Sequence, residues 1–196
     1  MVAGVGGQKT LLASRLLAES VIEVGLPVKI GETYGMVQRG SPVMGNIQIG
    51  GAPQNPQNRE GEADILLAFE PAEGIRRGVT FLKKGGMVLV NSWTTAPVEV
   101  ISGMMAYTEM EKLMTLLGEV TDRIVTLDAT ALAEEAGDPI ATNVVMIGAL
   151  TASGVLPFGE EMVLRVMKES LRPKYYDLNM SAFQLGKEAF EASNIK

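Results

Sequence analysis

At 196 residues the chain has the length of one domain with a full core, and it reads as a single domain over 1–196. Its net charge of −6 excludes a nucleic-acid partner, which needs clustered cations. It has no cysteine and no histidine, so disulfides, thiolate nucleophiles, thiolate-held iron–sulfur clusters and the commonest zinc ligand are excluded within it. No catalytic residue and no metal ligand is assigned. No apolar run is long enough to span a bilayer and no signal peptide is visible, so the expected location is cytoplasmic, away from the membrane.

Met1, Val2 and Ala3 precede the first motif, leaving the expected first strand barely present. GVGGQ (4–8) then leads into a helix with Leu12, Leu16 and Val21 on one side and Arg15, Glu19 and Glu23 opposite, ending at Gly25 with Pro27 beyond. Gly4, Gly6 and Gly7 let backbone approach a ligand, and a helix start offers unpaired N–H groups, so an anion is the expected guest. The dinucleotide fingerprint is incomplete: Lys9 occupies the third glycine position, and Glu32 lies late. A tight structural turn with no ligand is the competing reading.

A strand is expected at 28–30. GETYGMVQRGSPV (31–43) follows, where Arg39 beside Gly40 suits a phosphate or carboxylate fork and Tyr34 packs or stacks. The alternation over 43–49 predicts a half-exposed strand, with Met44, Asn46 and Gln48 on its polar side; 51–62 reads as a surface loop. ADILLAF (63–69) has the continuous apolar character of a buried parallel strand. Pro71 opens a helix running to about Leu82, and the pairs Arg76–Arg77 and Lys83–Lys84 are placed near its C-terminus. GMVLVN (86–91) is the next buried strand, and Asn91, Ser92 and Trp93 fall at its end.

Met104, Met105, Met110 and Met114 crowd one segment, either core or interface. Thr108 and Glu111 have capping-box spacing ahead of a helix. RIVTLD (123–128) reads as a strand, ATALAEEAG as a short helix, NVVMIGALTA (143–152) as a buried helix, and 159–170 and 178–192 as amphipathic helices parted at Pro173. The alternation predicts an α/β fold: a three-layer αβα arrangement with an open, mostly parallel, Rossmann-like sheet.

GVGGQ (4–8), GETYGMVQRG (31–40), ADILLAFEPAEGIR (63–76) and NVVMIGAL (143–150), in this order along the chain, resemble the gamma-type domain of 2-oxoacid:ferredoxin oxidoreductases, most of all the indolepyruvate type. Lys9 and Ser41–Pro42 depart from that pattern. The resemblance implies an accessory subunit, inactive alone, of a complex that oxidatively decarboxylates an arylpyruvate or other 2-oxoacid to an acyl-CoA. Thiamine diphosphate, Mg and the Fe–S clusters are expected on a large partner subunit, with ferredoxin as acceptor through that partner. The chain's lack of cysteine and of a Gly-Asp-Gly thiamine motif agrees with this division. Coenzyme A, as co-substrate, is expected at Gly4, Gly6, Gly7, Gln8, Arg39, Gly40 and Asn143. A homodimer is the expected state of the isolated chain. Two alternatives stand beside this reading: a nucleotide-cofactor oxidoreductase working alone, and a ligand-free assembly subunit.

Overall fold

The computed structural model describes residues 1–33, 41–51, 55–96, 98–104 and 106–193. Six strands form one sheet in the order β2-β3-β1-β4-β5-β6. β1 (Val2–Val5), β4 (Ala63–Ala68), β5 (Leu82–Asn91) and β6 (Ile124–Leu127) pair in parallel. β3 (Pro42–Ile49) runs antiparallel between β1 and the edge strand β2 (Val28–Thr33). The expected open, mostly parallel αβα sheet is therefore present.

The strands sort their side chains by parity. Val2, Leu67, Met87 and Leu89 face a core shared with α1 (Thr10–Glu23), α5 (Ala129–Ala136), α6 (Thr142–Ala152), α7 (Glu160–Ser170) and α8 (Tyr176–Ala192). Ala3, Leu66, Ala68, Val88 and Val90 face a smaller core under α2 (Pro71–Phe81) and α4 (Met110–Gly118). A single helical turn, α3 (Val98–Ile101), precedes α4. No helix among the described residues is long and apolar enough to cross a membrane.

α6 is buried from Asn143 to Leu150, as its all-round apolar sequence requires. It crosses α8 at two glycines. A Cβ on Gly148 would stand 2.1 Å from the Phe183 carbonyl oxygen, and one on Gly186 1.9 Å from that of Val145. Only the absence of a side chain at both positions lets the two backbones meet.

Four expectations change. β1 is not vestigial: all four of its residues are buried, it occupies the sheet centre, and the Met1 ammonium donates to the Ile65 carbonyl at 2.7 Å. β3 is only partly buried, but its polar side is not its open side: Met44 and Asn46 are buried, and the 55–62 loop folds over Asn46. Asn46 is accordingly buried, its amide donating to Gly31 and accepting from the Asn58 N–H. Arg76 and Arg77 do not serve a helix dipole; they pair with the buried Glu73 one turn back, and Lys83 and Lys84 already belong to β5. The capping box does not form. Glu109 takes the N-cap of α4 without a side-chain bond, so Glu111 falls one position short of the required spacing from its cap.

Candidate functional site

β1 and β4 are parallel neighbours, yet the chain leaves β1 for α1 on one face and β4 for α2 on the other. Connections that diverge from adjacent strands open a crevice at the carboxyl edge, the place where ligands bind in open α/β sheets. The Gly4–Gln8 turn lies at this point. Gln8 spans it: Oε1 accepts from the Val5 N–H at 2.9 Å, and Nε2 donates to the Phe69 carbonyl at 3.1 Å and to Thr95 Oγ1 at 3.3 Å. Asn91, at the end of β5, also donates to the Phe69 carbonyl and accepts from the Ala129 N–H. Two side-chain amides thus tie the ends of β1, β4, β5 and β6 together.

The glycines divide their tasks. A Cβ on Gly4 would meet Gln8, Thr10 and Phe69 at 2.6–3.0 Å, so this glycine serves internal packing. The Gly6 N–H donates to the Ser41 carbonyl at 2.8 Å, which ties the turn to the start of β3. Gly7 has φ of +109° with open space around it, and Lys9 takes the left-handed φ of 56° as the N-cap of α1. No side chain caps the first turn of α1 and no acidic residue sits in it. Uncapped N–H groups beside an exposed lysine suit an anion on the solvent side of Gly7. Tyr34, Arg39 and Gly40 lie outside the described residues, so the expected fork has no structural account.

Asn143 sits apart from the turn's glycines. It is buried near the start of α6, its Nδ2 has no hydrogen-bond partner, and it lines a cavity of about 330 Å³ together with Lys9 and Arg172. No spacing marks Arg172 as a neighbour, because it lies 29 positions beyond Asn143 with the whole of α7 between them. Among the described residues no group of three or more acidic side chains is arranged to hold a metal ion.

A buried carboxylate stands at the end of β4. Glu70, fully buried, caps α2 by accepting from the Glu73 N–H at 2.8 Å and accepts from the Tyr107 hydroxyl at 2.5 Å. Burial raises its pKa against the lowering effect of these bonds, and burial together with Glu70 raises that of Tyr107, which stays a donor. This contact fastens the methionine segment to the sheet. Past Tyr107 the segment is open: Ile101 and Met104 are 73% and 81% exposed, and Met110 and Met114 are only half-buried.

The family model described as "Pyruvate ferredoxin/flavodoxin oxidoreductase" matches residues 1–189. The chain is 40% identical to the indolepyruvate oxidoreductase subunit IorB of Pyrococcus horikoshii, covering 100% of this chain and 97% of that one. To the protein of the same description from Archaeoglobus fulgidus it is 38% identical, over 95% and 92% of the two chains. Among solved structures it superimposes on the keto/oxoacid ferredoxin oxidoreductase gamma subunit of Geobacter sulfurreducens with a TM-score of 0.69, at 24% identity, covering 97% and 96%. The 2-oxoglutarate:ferredoxin oxidoreductase of Magnetococcus marinus matches over the whole of this chain but 31% of its own, with a TM-score of 0.70 at 16% identity. These two structural likenesses bear on the fold.

Proposed function

We propose that this chain, which belongs to the pyruvate ferredoxin/flavodoxin oxidoreductase family, acts as the accessory gamma-type subunit of a 2-oxoacid:ferredoxin oxidoreductase of the indolepyruvate or arylpyruvate type. The observation that carries this is the near-complete, end-to-end likeness to indolepyruvate oxidoreductase subunits, which leaves no room for an added catalytic domain within 1–196. The residue inventory supports it. With no cysteine the chain cannot ligate an iron–sulfur cluster through thiolates, and it has no Gly-Asp-Gly thiamine motif; both agree with the family resemblance, by which clusters, thiamine diphosphate and Mg are assigned to a large partner subunit in the cytoplasm. Ile101, Met104 and the 50%-exposed Trp93 offer an adaptable apolar surface for that partner.

The test is direct. The purified chain, given an arylpyruvate, coenzyme A, thiamine diphosphate and Mg²⁺, gives no reduction of a viologen dye, and adding the large subunit restores it. Turnover by the chain alone would remove the accessory assignment.

Within the complex, the solvent side of the Gly4–Gln8 turn is assigned to an anionic group of coenzyme A. Gly7 and the first turn of α1 would supply backbone donors, while Gly6 ties the turn to β3 and Gln8 holds its shape. Arg39 and Gly40 would complete the site from the neighbouring loop. Gly6→Val is expected to abolish coenzyme A binding by calorimetry on the assembled complex. Arg39→Ala weakens it by roughly 1.5–3 kcal/mol, the worth of a hydrogen bond to a charged group. Unchanged affinity in Gly6→Val would make the loop a structural turn only.

A further inference from the structure

The cavity beside Asn143 is built for a ligand that the turn at Gly4–Gln8 does not account for. Its walls come from the first turns of α1 and α6 and from the link between α7 and α8. The first turn of α1 lacks a side-chain cap, whereas α6 continues from the turn Pro139–Ala141, whose start Asp138 caps and whose Pro139 carbonyl takes the Thr142 N–H, so α6 brings a side chain rather than an open helix end to the hollow. Asn143 is 2% exposed, and its Nδ2, a donor, meets no acceptor. A buried donor left unpaired costs about 1–3 kcal/mol unless something accepts from it. Lys9 and Arg172 stand on the same wall, and neither forms an ion pair among the described residues. Donors and positive charge converge here; the ligand is an anion.

The surroundings set which anion. Ser170, also on the wall, gives its hydroxyl to Glu19 at 2.6 Å, and the C-terminal end of α7 closes the same side. A carboxylate and the negative end of a helix disfavour a doubly charged guest. Leu171, Arg172 and Asn179 also line a second cavity of about 260 Å³, whose other walls include Met167, Lys168, Tyr176 and Met180, with an overwhelmingly apolar surface. Alone it is smaller than most small-molecule sites, which start near 300 Å³; joined to its neighbour it falls within their range. Arg172 stands at the junction, with the polar hollow on one side and the apolar one on the other.

We propose that these two cavities form one binding site for an aromatic monocarboxylic acid. Its carboxylate accepts from Asn143 Nδ2, Lys9 and Arg172, and its ring lies among Met167, Leu171, Tyr176 and Met180. The site shares Lys9 with the neighbouring Gly4–Gln8 turn, but it rests on Asn143, Arg172 and the apolar hollow and does not depend on the coenzyme A assignment. A subunit with no catalytic group of its own would thereby respond to an aryl acid, either substrate-like or product-like, at a distance from the reacting centre.

Indole-3-acetate is the probe, titrated into the full chain by calorimetry, with acetate and inorganic phosphate as companions. Indole-3-acetate is expected to bind at one site, and acetate and phosphate at least tenfold more weakly. Arg172→Gln, at an exposed position where misfolding is not at issue, weakens indole-3-acetate binding by about tenfold. Asn143→Leu does the same while raising the melting temperature of the ligand-free chain, since it removes an unpaired buried donor. Binding of phosphate as tight as that of indole-3-acetate would overturn the aromatic-acid assignment. Failure of indole-3-acetate to bind, or affinity unchanged in Arg172→Gln, would overturn the site.

Discussion

Gly186→Ala is expected to lower the stability of the chain by about 3 kcal/mol, at the upper end of what one added methyl does to a packed core. The obstructing atom is what sets the size. The new Cβ would lie 1.9 Å from the Val145 carbonyl oxygen, and backbone of a buried helix cannot rotate away as a side chain can. Relief requires α8 to move off α6, which opens the core around Phe183, Ala182 and Val145. Gly148→Ala meets the same obstacle from the opposite helix and behaves alike. Gly118 provides the contrast, because a Cβ there touches nothing within 4 Å. Gly118→Ala should be neutral or stabilising by up to ~1 kcal/mol. Urea unfolding of the three variants decides the matter; a loss below about 1 kcal/mol in Gly186→Ala would mean that the helices do not cross this closely.

Glu70→Ala is the second large effect, also about 3 kcal/mol. It removes the cap of α2, orphans the Glu73 N–H and the Tyr107 hydroxyl, and leaves a hole in a fully buried position. Glu70→Gln keeps the volume and one acceptor, and is expected to cost much less. The pH dependence follows from the direction of the shift. The folded-state pKa of Glu70 is raised, so the folded chain holds this proton more tightly than the unfolded chain does. Its contribution to stability is fully present below the ordinary carboxylate pKa of 4.5, and is lost as pH rises through the folded value. Unfolding measured from pH 4 upward should therefore show a falling contribution in the natural chain that Glu70→Gln lacks. An identical pH profile in both would dismiss this account. Hydrogen exchange gives a second readout: Glu70→Ala frees Tyr107, and amides near 106–110 exchange faster.

The sequence disclosed those features whose cause is local. Pro71 at the first turn of α2, Gly25 in the left-handed region after α1, and the unbroken apolar run of α6 each carry their own reason, and each appears where expected. The glycine turn was legible for the same cause. What stayed hidden depends on partners distant in the chain. Gly148 and Gly186 look like ordinary helical glycines until Phe183 and Val145 are set against them. β3 alternates as a half-exposed strand would, but the distant 55–62 loop covers Asn46 on its polar side. The motif GVGGQ suggests a ligand contact for Gln8, whereas its side-chain amide bonds to Val5, Phe69 and Thr95, which only the fold brings together. An unpaired donor such as that of Asn143 is a property of surroundings, and no spacing in the sequence reports it.

The central place of β1 has a consequence for how the protein is made. Its hydrogen-bonding neighbours are β3, beginning at Pro42, and β4, ending at Ala68. A ribosome adds roughly 5–20 residues per second, so β1 leaves the exit tunnel several seconds before both of its partners exist. Throughout that interval Val2–Val5 is an apolar strand with two open edges, the form of chain most prone to pairing with a stranger. The sheet cannot close around it until Ala68, the end of β4, is out. The interval between synthesis of β1 and of the end of β4 is therefore the stage at which this strand is most open to mispairing.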